Sequence, residues 1–245
     1  MSASRLSADA MVSVRRKDTL SEFSTGWSLA TADLLSDAVP WRTFRWYRGQ
    51  KHYSGTYWSS TEAAHVIYEF RLELARLLYA DFDVAVRRIV AQPFLLRATV
   101  DRRVRKHVPD LLLISEQGPV VVDVKPLAQL VNPRIRFTLG WTRKLVEGRG
   151  WRYEVWSEPS ATELRNVRFL AGFRNPSCFD ETLLEEVRQR DLSHTTLGEA
   201  LSAPIGRPPA LVRSAVFHLV WNQYLTVDVR SPLTRSSILT KGPRV

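Results

Sequence analysis

The chain has 245 residues, 44% of them hydrophobic, which is enough for one medium-sized core and a small second domain. Its single cysteine, Cys178, excludes a disulfide framework and a cysteine-rich zinc site. No apolar run approaches the roughly 18 residues of a membrane span, and the N-terminus has no apolar signal core. We therefore expect a cytoplasmic protein that does not cross a membrane.

The formal net charge of +10 is unevenly distributed along the chain. Residues 1–40 contain 4 Lys or Arg and 5 Asp or Glu, residues 41–175 contain 23 and 13, and residues 176–245 contain 8 and 7. The middle segment carries the whole excess, which predicts that a phosphate-bearing partner binds there and not at the C-terminus. We interpret the three segments as a flexible or partner-ordered N-terminal arm, a main domain and a small C-terminal domain.

Residues 40–60 mix aromatic and cationic side chains. This composition is typical of nucleic-acid contacts and equally of a twisted hairpin packed on a core. Residues 60–80 have apolar side chains at helical spacing, from Val66 to Leu78, which predicts a helix. Glu69 and Glu73 are four residues apart and so share a face of that helix. They either face solvent or contribute a carboxylate to a metal site.

Strands are predicted at about 84–91 and 93–100, and a strongly basic segment follows them. It is interpreted as a loop with four cations: Arg102, Arg103, Arg105 and Lys106. Such a density of positive charge suits the binding of DNA phosphates, and the alternative is a solvated turn.

The most informative segment is residues 108–127, VPDLLLISEQGPVVVDVKPL. Two apolar runs flank a Gln-Gly-Pro turn, which predicts an antiparallel pair of strands. Asp110 opens the first run, and Asp123 and Lys125 close the second on one face. Two carboxylates and an ammonium then meet at one end of a small sheet. Because a buried strand needs its charges paired or bound to a metal, the pattern predicts a Mg²⁺ site, and the alternative is a solvated strand end.

The remaining elements complete a recognisable order. A cation-rich helix at 134–149, an aromatic strand at 151–156 and a helix at 160–173 are predicted. Helix, three strands, helix and strand is the order of the core of the PD-(D/E)xK nuclease superfamily, whose motif the Pro-Asp and Asp-Val-Lys elements match.

Residues 176–245 differ in character from the main domain. Helical patterns occur at about 179–190, 194–202 and 208–221, and two short β-runs follow. Three helices and a hairpin form a winged-helix arrangement, which binds DNA through its third helix. That helix offers only Arg213 and His218 as cations, so docking to a protein is favoured over base reading.

The chain resembles the TnsA-like endonuclease subunits of heteromeric transposases over about residues 60–240. The family's helix glutamate falls on Glu73, in an L-E-L context, and its Q-P element falls on Gln92 and Pro93. Its central aspartate falls on Asp110. Its Q/E-V-K-P motif falls on residues 123–126, where Asp replaces Gln or Glu.

The resemblance implies an α/β fold with a restriction-endonuclease-like mixed sheet flanked by helices in residues 41–175, followed by a winged-helix-like domain. It also implies a metal-dependent endonuclease subunit that nicks the 5′ ends of a transposon in double-stranded DNA. An integrase-type transposase subunit would process the 3′ ends, and the C-terminal domain would contact an ATP-dependent transposition regulator.

The resemblance also assigns roles to single residues. Four oxygen donors would bind one or two Mg²⁺ ions, or Mn²⁺ in their place: Glu73, Asp110, Asp123 and the Val124 carbonyl. Lys125 would orient the attacking water and stabilise charge on the phosphate. Gln92 would position the water or a phosphate, or else only bond to backbone at a strand end. Glu69 is the alternative helix ligand, and His107 lies near enough in sequence to contact a phosphate.

The sequence leaves two other functions open. A stand-alone restriction or repair endonuclease would use the same core and would need a surface that reads bases in the major groove. A non-enzymatic winged-helix regulator would bind DNA through residues 176–245. The 8 cations and 7 anions of that segment argue against it.

Overall fold

The computed structural model describes residues 10–42, 53–202 and 206–243, and the protein is of mixed α/β class, as predicted. The chain folds as two units, residues 1–80 with 85–158 and residues 81–84 with 159–245. The predicted boundary at 175 is therefore too late. Residues 161–170 form a helix that packs against the helix at 209–221, which places them in the smaller unit.

The larger unit contains most of the strands. Its described elements are, in chain order, β1 (Met11–Arg16), β2 (Glu22–Gly26), α1 (Ala32–Ser36), β3 (Ala38–Val39), β4 (Gly55–Ser59), β5 (Ala64–Tyr68), α2 (Arg71–Phe82), β6 (Val86–Ala91), β7 (Leu95–Val100), β8 (Arg103–His107), β9 (Leu111–Ser115), β10 (Gly118–Val124), α3 (Pro133–Glu147) and β11 (Arg152–Trp156). The last two residues of α2 group with the smaller unit.

The first sheet has the order β2-β1-β7-β8, with β3 also paired to β1, and every pairing is antiparallel. The prediction of a flexible arm over residues 1–40 is wrong for residues 10–40, because β1 alternates and buries Val12 and Val14 in the core. Trp27 is also buried there, and its indole donates to the Leu145 carbonyl at 2.9 Å. Residues 1–9 lie outside the described residues.

The second sheet has the order β11-β10-β9-β6 and supports the candidate site. β9 and β10 pair antiparallel, as the two apolar runs predicted. β6 also pairs antiparallel with β9, while β11 is parallel to β10. The parallel pairing requires a crossover, which α3 provides. Gly118 has φ +103° at the turn between β9 and β10, a conformation that glycine adopts without strain.

The predicted helix over residues 60–80 is wrong in its first half. β4 and β5 form an antiparallel hairpin there, and α2 begins only at Arg71. The spacing of Val66, Phe70 and Leu74 is also that of a helix. Val66 is instead the buried residue of strand β5. Most of the aromatic and cationic segment, residues 43–52, lies outside the described residues.

One hydrophobic core joins the two sheets to α3. Its buried residues come from β1, β7, β9, β10, β11 and α3, among them Leu96, Leu112, Val121, Trp141 and Tyr153. The candidate site therefore lies on strands that are packed on a shared core, which fixes their ends relative to one another.

The smaller unit is mainly helical. Its further described elements are α4 (Ala161–Leu170), α5 (Glu181–Arg188), α6 (Leu197–Ser202), α7 (Pro209–Trp221), β12 (Leu225–Thr226) and β13 (Thr240–Lys241). The three predicted helices are present, and β12 pairs antiparallel with β13 over two residues each. His218 was expected to be a cation offered by α7, but it is 1% exposed and its Nδ1 lies 2.6 Å from the Phe173 carbonyl.

In the described part of the chain, no helix is both long enough and apolar enough to cross a membrane.

Candidate active site at the ends of β9 and β10

Asp110 and Lys125 meet at one end of the β9–β10 pair. Asp110 precedes β9 and Lys125 follows β10, so the antiparallel hairpin brings them to the same end of the strand pair. The Lys125 ammonium donates to Asp110 Oδ2 at 2.9 Å and to the Val124 carbonyl at 2.9 Å. The Val124 amide donates to the same Oδ2 at 2.6 Å. The predicted approach of Asp110 to Lys125 is confirmed.

Asp123 is fully buried and is held by two side chains. His107, on β8, places Nε2 at 2.8 and 2.9 Å from the two carboxylate oxygens. The Tyr153 hydroxyl, on β11, donates to Oδ2. Burial and then the charge of Asp123 raise the pKa of Tyr153, so its hydroxyl remains a donor. His107 thus contacts a predicted metal ligand instead of standing free for a phosphate.

Glu73 lies in the first turn of α2 and is only 8% exposed. Its Oε2 accepts a hydrogen bond from the Glu69 amide at 2.7 Å, which satisfies an amide at the start of the helix. Burial and then repulsion from Asp110 raise the pKa of Glu73 to about 8. Repulsion between two carboxylates is relieved when a cation binds near them, so this pair favours a cation.

The charges of the site act as one cluster. Burial raises the pKa of Asp110, Lys125 opposes the rise, and Asp123 adds to it. Burial alone lowers the pKa of Lys125, but the carboxylates of Asp110, Asp123 and Glu73 outweigh it and the pKa is raised. Lys125 therefore stays a cation, and it lies within electrostatic reach of the other three residues predicted to be catalytic.

The donor types of this cluster fit a hard divalent cation, although their present partners occupy them. Three carboxylates and a backbone carbonyl are the oxygen ligands that Mg²⁺ and Mn²⁺ prefer. Across residues 10–42, 53–202 and 206–243, however, no three His, Cys, Asp or Glu side chains are grouped so as to hold a metal ion. Lys125 bonds to Asp110, and His107 and Tyr153 bond to Asp123. Binding of a cation requires Lys125 to move away from Asp110, whereas Asp123 Oδ1 has His107 as its one side-chain partner among the described residues and keeps a lone pair for a cation.

Gln92 links the strand ends to the N-terminal segment. Its amide donates to Glu69 at 2.5 Å, its Oε1 accepts from the Arg42 amide at 3.0 Å, and its own backbone amide donates to the Asp110 carbonyl at 2.9 Å. Its φ of 47° is the left-handed conformation that few residues other than glycine adopt. Gln92 was predicted either to position a water or phosphate or to bond to backbone at a strand end. Its bond to the Arg42 amide agrees with the second of these roles.

Glu69 does not share a helix face with Glu73, contrary to the prediction. It precedes α2 and its carboxylate lies 3.6 Å from the Arg42 guanidinium. The helix begins later than the apolar spacing indicated, so Glu73 lies on the helix and Glu69 lies before it.

The basic segment is a turn and a strand, not a loop. Asp101 and Arg102 form the turn with positive φ, and β8 begins at Arg103. Because side chains alternate along a strand, Arg103 and Arg105 share the face of His107, while Lys106 points the other way. The guanidinium of Arg105 lies 5.2 Å from the centre of the Phe137 ring. This charged segment forms a strand because its backbone pairs antiparallel with β7 over five residues.

The positive charge remains concentrated in the unit that bears the site. Residues 1–80 and 85–158 contain 24 Lys or Arg and 15 Asp or Glu, against 11 and 10 in residues 81–84 and 159–245. This excess would attract an anion to the larger unit more strongly than to the smaller one.

Sequence reasoning missed Tyr153, which lies in the predicted aromatic strand. In the parallel pairing of β10 with β11, Tyr153 lies opposite Val121, two residues before Asp123, and so on the same face of the sheet as Asp123. An aromatic residue with a hydroxyl beside a buried aspartate was the available signal, but it required the pairing of the two strands.

The sequence matches no protein-family model, and no curated protein matches it. The chemistry of the site therefore rests on the residues described above.

Proposed function

We propose that this protein is a metal-dependent DNA endonuclease whose active site is the cluster around Asp110 and Lys125. The observation that carries the proposal is the bonded Asp110–Lys125 pair, placed in electrostatic reach of the buried carboxylates Glu73 and Asp123. An ammonium beside several carboxylates at the end of a sheet suits phosphodiester hydrolysis, because the reaction needs both a cation site and a positive charge near the phosphate.

The order of elements around the site supports the proposal. Once the β7–β8 hairpin is set aside, α2, β6, β9, β10, α3 and β11 follow the order helix, three strands, helix, strand. The order of strands in space, β11-β10-β9-β6, brings the ends of β9 and β10 to the middle of the sheet. The two candidate strands thus have neighbours on both sides, as expected for a site supported by a rigid scaffold.

The residues of the chain would divide the chemistry between them. Glu73, Asp110, Asp123 and the Val124 carbonyl would hold a divalent cation, which when bound makes a water more acidic and neutralises phosphate charge. Lys125 keeps its proton and stabilises the negative charge that grows on the phosphate oxygens. Hydrolysis forms one P–O bond from water and breaks one P–O bond of the DNA strand, whose leaving oxygen takes up a proton.

The finer proposal is an endonuclease subunit of a heteromeric transposase, and it rests on the resemblance of Glu73, Gln92, Asp110 and residues 123–126 to the TnsA-like motifs. In this role the subunit nicks the 5′ ends of a transposon, and an integrase-type recombinase supplies the choice of DNA. The weak charge of the smaller unit is consistent with a surface that docks to a protein regulator instead of DNA.

The test is strand cleavage of labelled transposon-end duplexes, with the products separated on a denaturing gel. We expect little cutting by the chain alone with Mg²⁺ and nicks at the 5′ ends when an integrase-type recombinase that recognises those ends is added. Site-specific double-strand cleavage by the chain alone would instead indicate a restriction-type enzyme.

A further inference from the structure

The carboxylate of Asp123 is bonded by side chains from two different sheets. His107 lies on β8, an edge strand of the first sheet, and Tyr153 lies on β11 of the second. Both oxygens of Asp123 contact His107 Nε2, and Oδ2 also accepts the Tyr153 hydroxyl. A carboxylate bonded in this way has one orientation, since a rotation of its oxygens breaks one of these bonds.

The two partner side chains are themselves held by packing. The Tyr153 ring belongs to the shared core, and the Arg143 guanidinium lies 5.0 Å from its centre. The His107 ring meets the Trp141 ring edge-on, with centroids 6.2 Å apart. Asp123 is thus fixed by groups that cannot turn freely, as ligating carboxylates are when their orientation matters.

We propose that Tyr153 and His107 are positioning residues, which orient the Asp123 carboxylate for a divalent cation without touching DNA. The inference rests on the proposed function. A purely structural role is the competing explanation, but a fully buried carboxylate destabilises a fold, and apolar residues of similar volume would bridge the sheets at least as well. The cost of burying Asp123 therefore favours a functional role for its carboxylate over a purely structural one.

His107 lies on the face of β8 that turns to the protein interior. Its ladder partner Leu96 is fully buried, and the other two residues on that face, Arg105 and Arg103, pair with the buried Ala98 and Val100. The bond from His107 to Asp123 is therefore made on the inner side of the sheet, as expected of a residue that orients a carboxylate without touching DNA.

The experiment compares Mn²⁺ binding, measured by electron paramagnetic resonance on the full chain, with single-turnover cleavage by the same samples. Tyr153→Phe removes the hydroxyl and keeps the ring in the core. We expect Mn²⁺ binding weaker by about 10- to 100-fold and slower cleavage at subsaturating Mn²⁺, with unchanged affinity for DNA. Tyr224→Phe removes a hydroxyl in the smaller unit and serves as the matched control, with wild-type values expected.

Variants of His107 separate positioning from folding. His107→Gln keeps a nitrogen donor near the place of Nε2 and should recover most of the Mn²⁺ affinity that is missing in His107→Leu. Wild-type Mn²⁺ affinity in both Tyr153→Phe and His107→Leu would overturn the inference and leave the proposed function standing. Absence of Mn²⁺ binding and of cleavage by the wild-type chain would instead overturn the proposed function, and this inference with it.

Discussion

Lys125 and Asp110 form an ion pair of 2.9 Å that closes the end of the β9–β10 ladder, with side chains 25% and 17% exposed. The pair joins the residue before one strand to the residue after the next, so it depends on the register of the hairpin and not on nearness in sequence. The same ammonium also donates a hydrogen bond to the Val124 carbonyl. Lys125 thus occupies two of the oxygens that a cation would use.

Replacing Lys125 by Met should separate cation binding from catalysis. The variant frees Asp110 and the Val124 carbonyl, so Mn²⁺ should bind at least as tightly as to the wild type. The rate of strand cleavage should fall by about 10²- to 10³-fold, because the charge that stabilises the phosphate is removed. Calorimetric titration and a single-turnover nicking assay measure the two effects. Lys144→Met, at an exposed position of α3, is the control, and a parallel fall of binding and rate in Lys125→Met would contradict the assigned role.

Glu73 and Glu69 should differ sharply in their effect on cleavage. Glu73 is buried and repelled by Asp110, whereas Glu69 precedes α2 and contacts Gln92 and Arg42. Glu73→Gln should therefore abolish metal-dependent nicking, and Glu69→Gln should retain it. The nicking rate of each variant is measured over a metal titration, and thermal unfolding verifies that both variants are folded. An inactive Glu69→Gln together with an active Glu73→Gln would assign the metal ligand to Glu69 instead of Glu73.

The affinity for DNA should depend on the exposed cations of β8, Arg103 and Lys106. Removing one cation that binds a phosphate should reduce the slope of log K against log salt by about 0.9 for duplex DNA. The double variant Arg103→Gln/Lys106→Gln should accordingly flatten the slope by up to about 2. Arg105→Gln changes a half-buried guanidinium that lies 5.2 Å from the centre of the Phe137 ring and should have a smaller effect. Fluorescence anisotropy over a salt series gives the slopes, and equal slopes for both variants and the wild type would exclude these cations as phosphate contacts.

His218 should contribute a loss of stability between pH 7 and pH 5, against the opposite contribution of Glu73, whose raised pKa favours the folded state as the pH falls. Asn222 lies 2.8 Å from the His218 Nε2 and the Phe173 carbonyl 2.6 Å from its Nδ1, and burial lowers the pKa of His218. Below about pH 6.5 the unfolded chain binds this proton first, so His218 lowers the free energy of unfolding by at most about 1.4 kcal/mol per pH unit. The drop ends at the lower pKa of the folded state.

His218→Gln removes this titration. The variant should be less stable than the wild type at pH 7.5, and its deficit should shrink as the pH falls to 5. Urea unfolding at each pH measures both. His65→Gln, in the exposed part of the β4–β5 hairpin, is the control and should follow the wild type. A deficit that stays constant with pH would show that His218 titrates normally.

The sequence predicted the elements whose signal is local. Two apolar runs around a Gly-containing turn specify the β9–β10 hairpin, and the hairpin brings Asp110 and Lys125 to the same end of the strand pair, where their side chains bond. The helices α3, α5 and α7 have amphipathic or apolar patterns bounded by Pro, Asp or Gly, and their predicted positions hold within a few residues.

The remaining features depend on tertiary pairing. β1 is short and ends in arginines, and it forms a strand by pairing with β2, β3 and β7; β8 is almost wholly charged, and it forms a strand by pairing with β7. The bond from His107 to Asp123 joins two sheets, and no spacing in the sequence encodes it. The same holds for Tyr153, which reaches Asp123 across the parallel pairing that α3 makes possible.

The most direct test of the central claim is single-turnover nicking of supercoiled plasmid by excess protein with Mn²⁺, comparing the wild type with Asp110→Asn. The amide keeps an oxygen acceptor for the Val124 amide, so the variant should fold, which circular dichroism and thermal unfolding verify. Asp101→Asn, in the turn before β8, is the matched control. We predict slow Mn²⁺-dependent nicking by the wild type and the control, and none by Asp110→Asn. Equal nicking by folded Asp110→Asn, or no Mn²⁺-dependent nicking by the wild type, would contradict the assignment of this cluster as a nuclease active site.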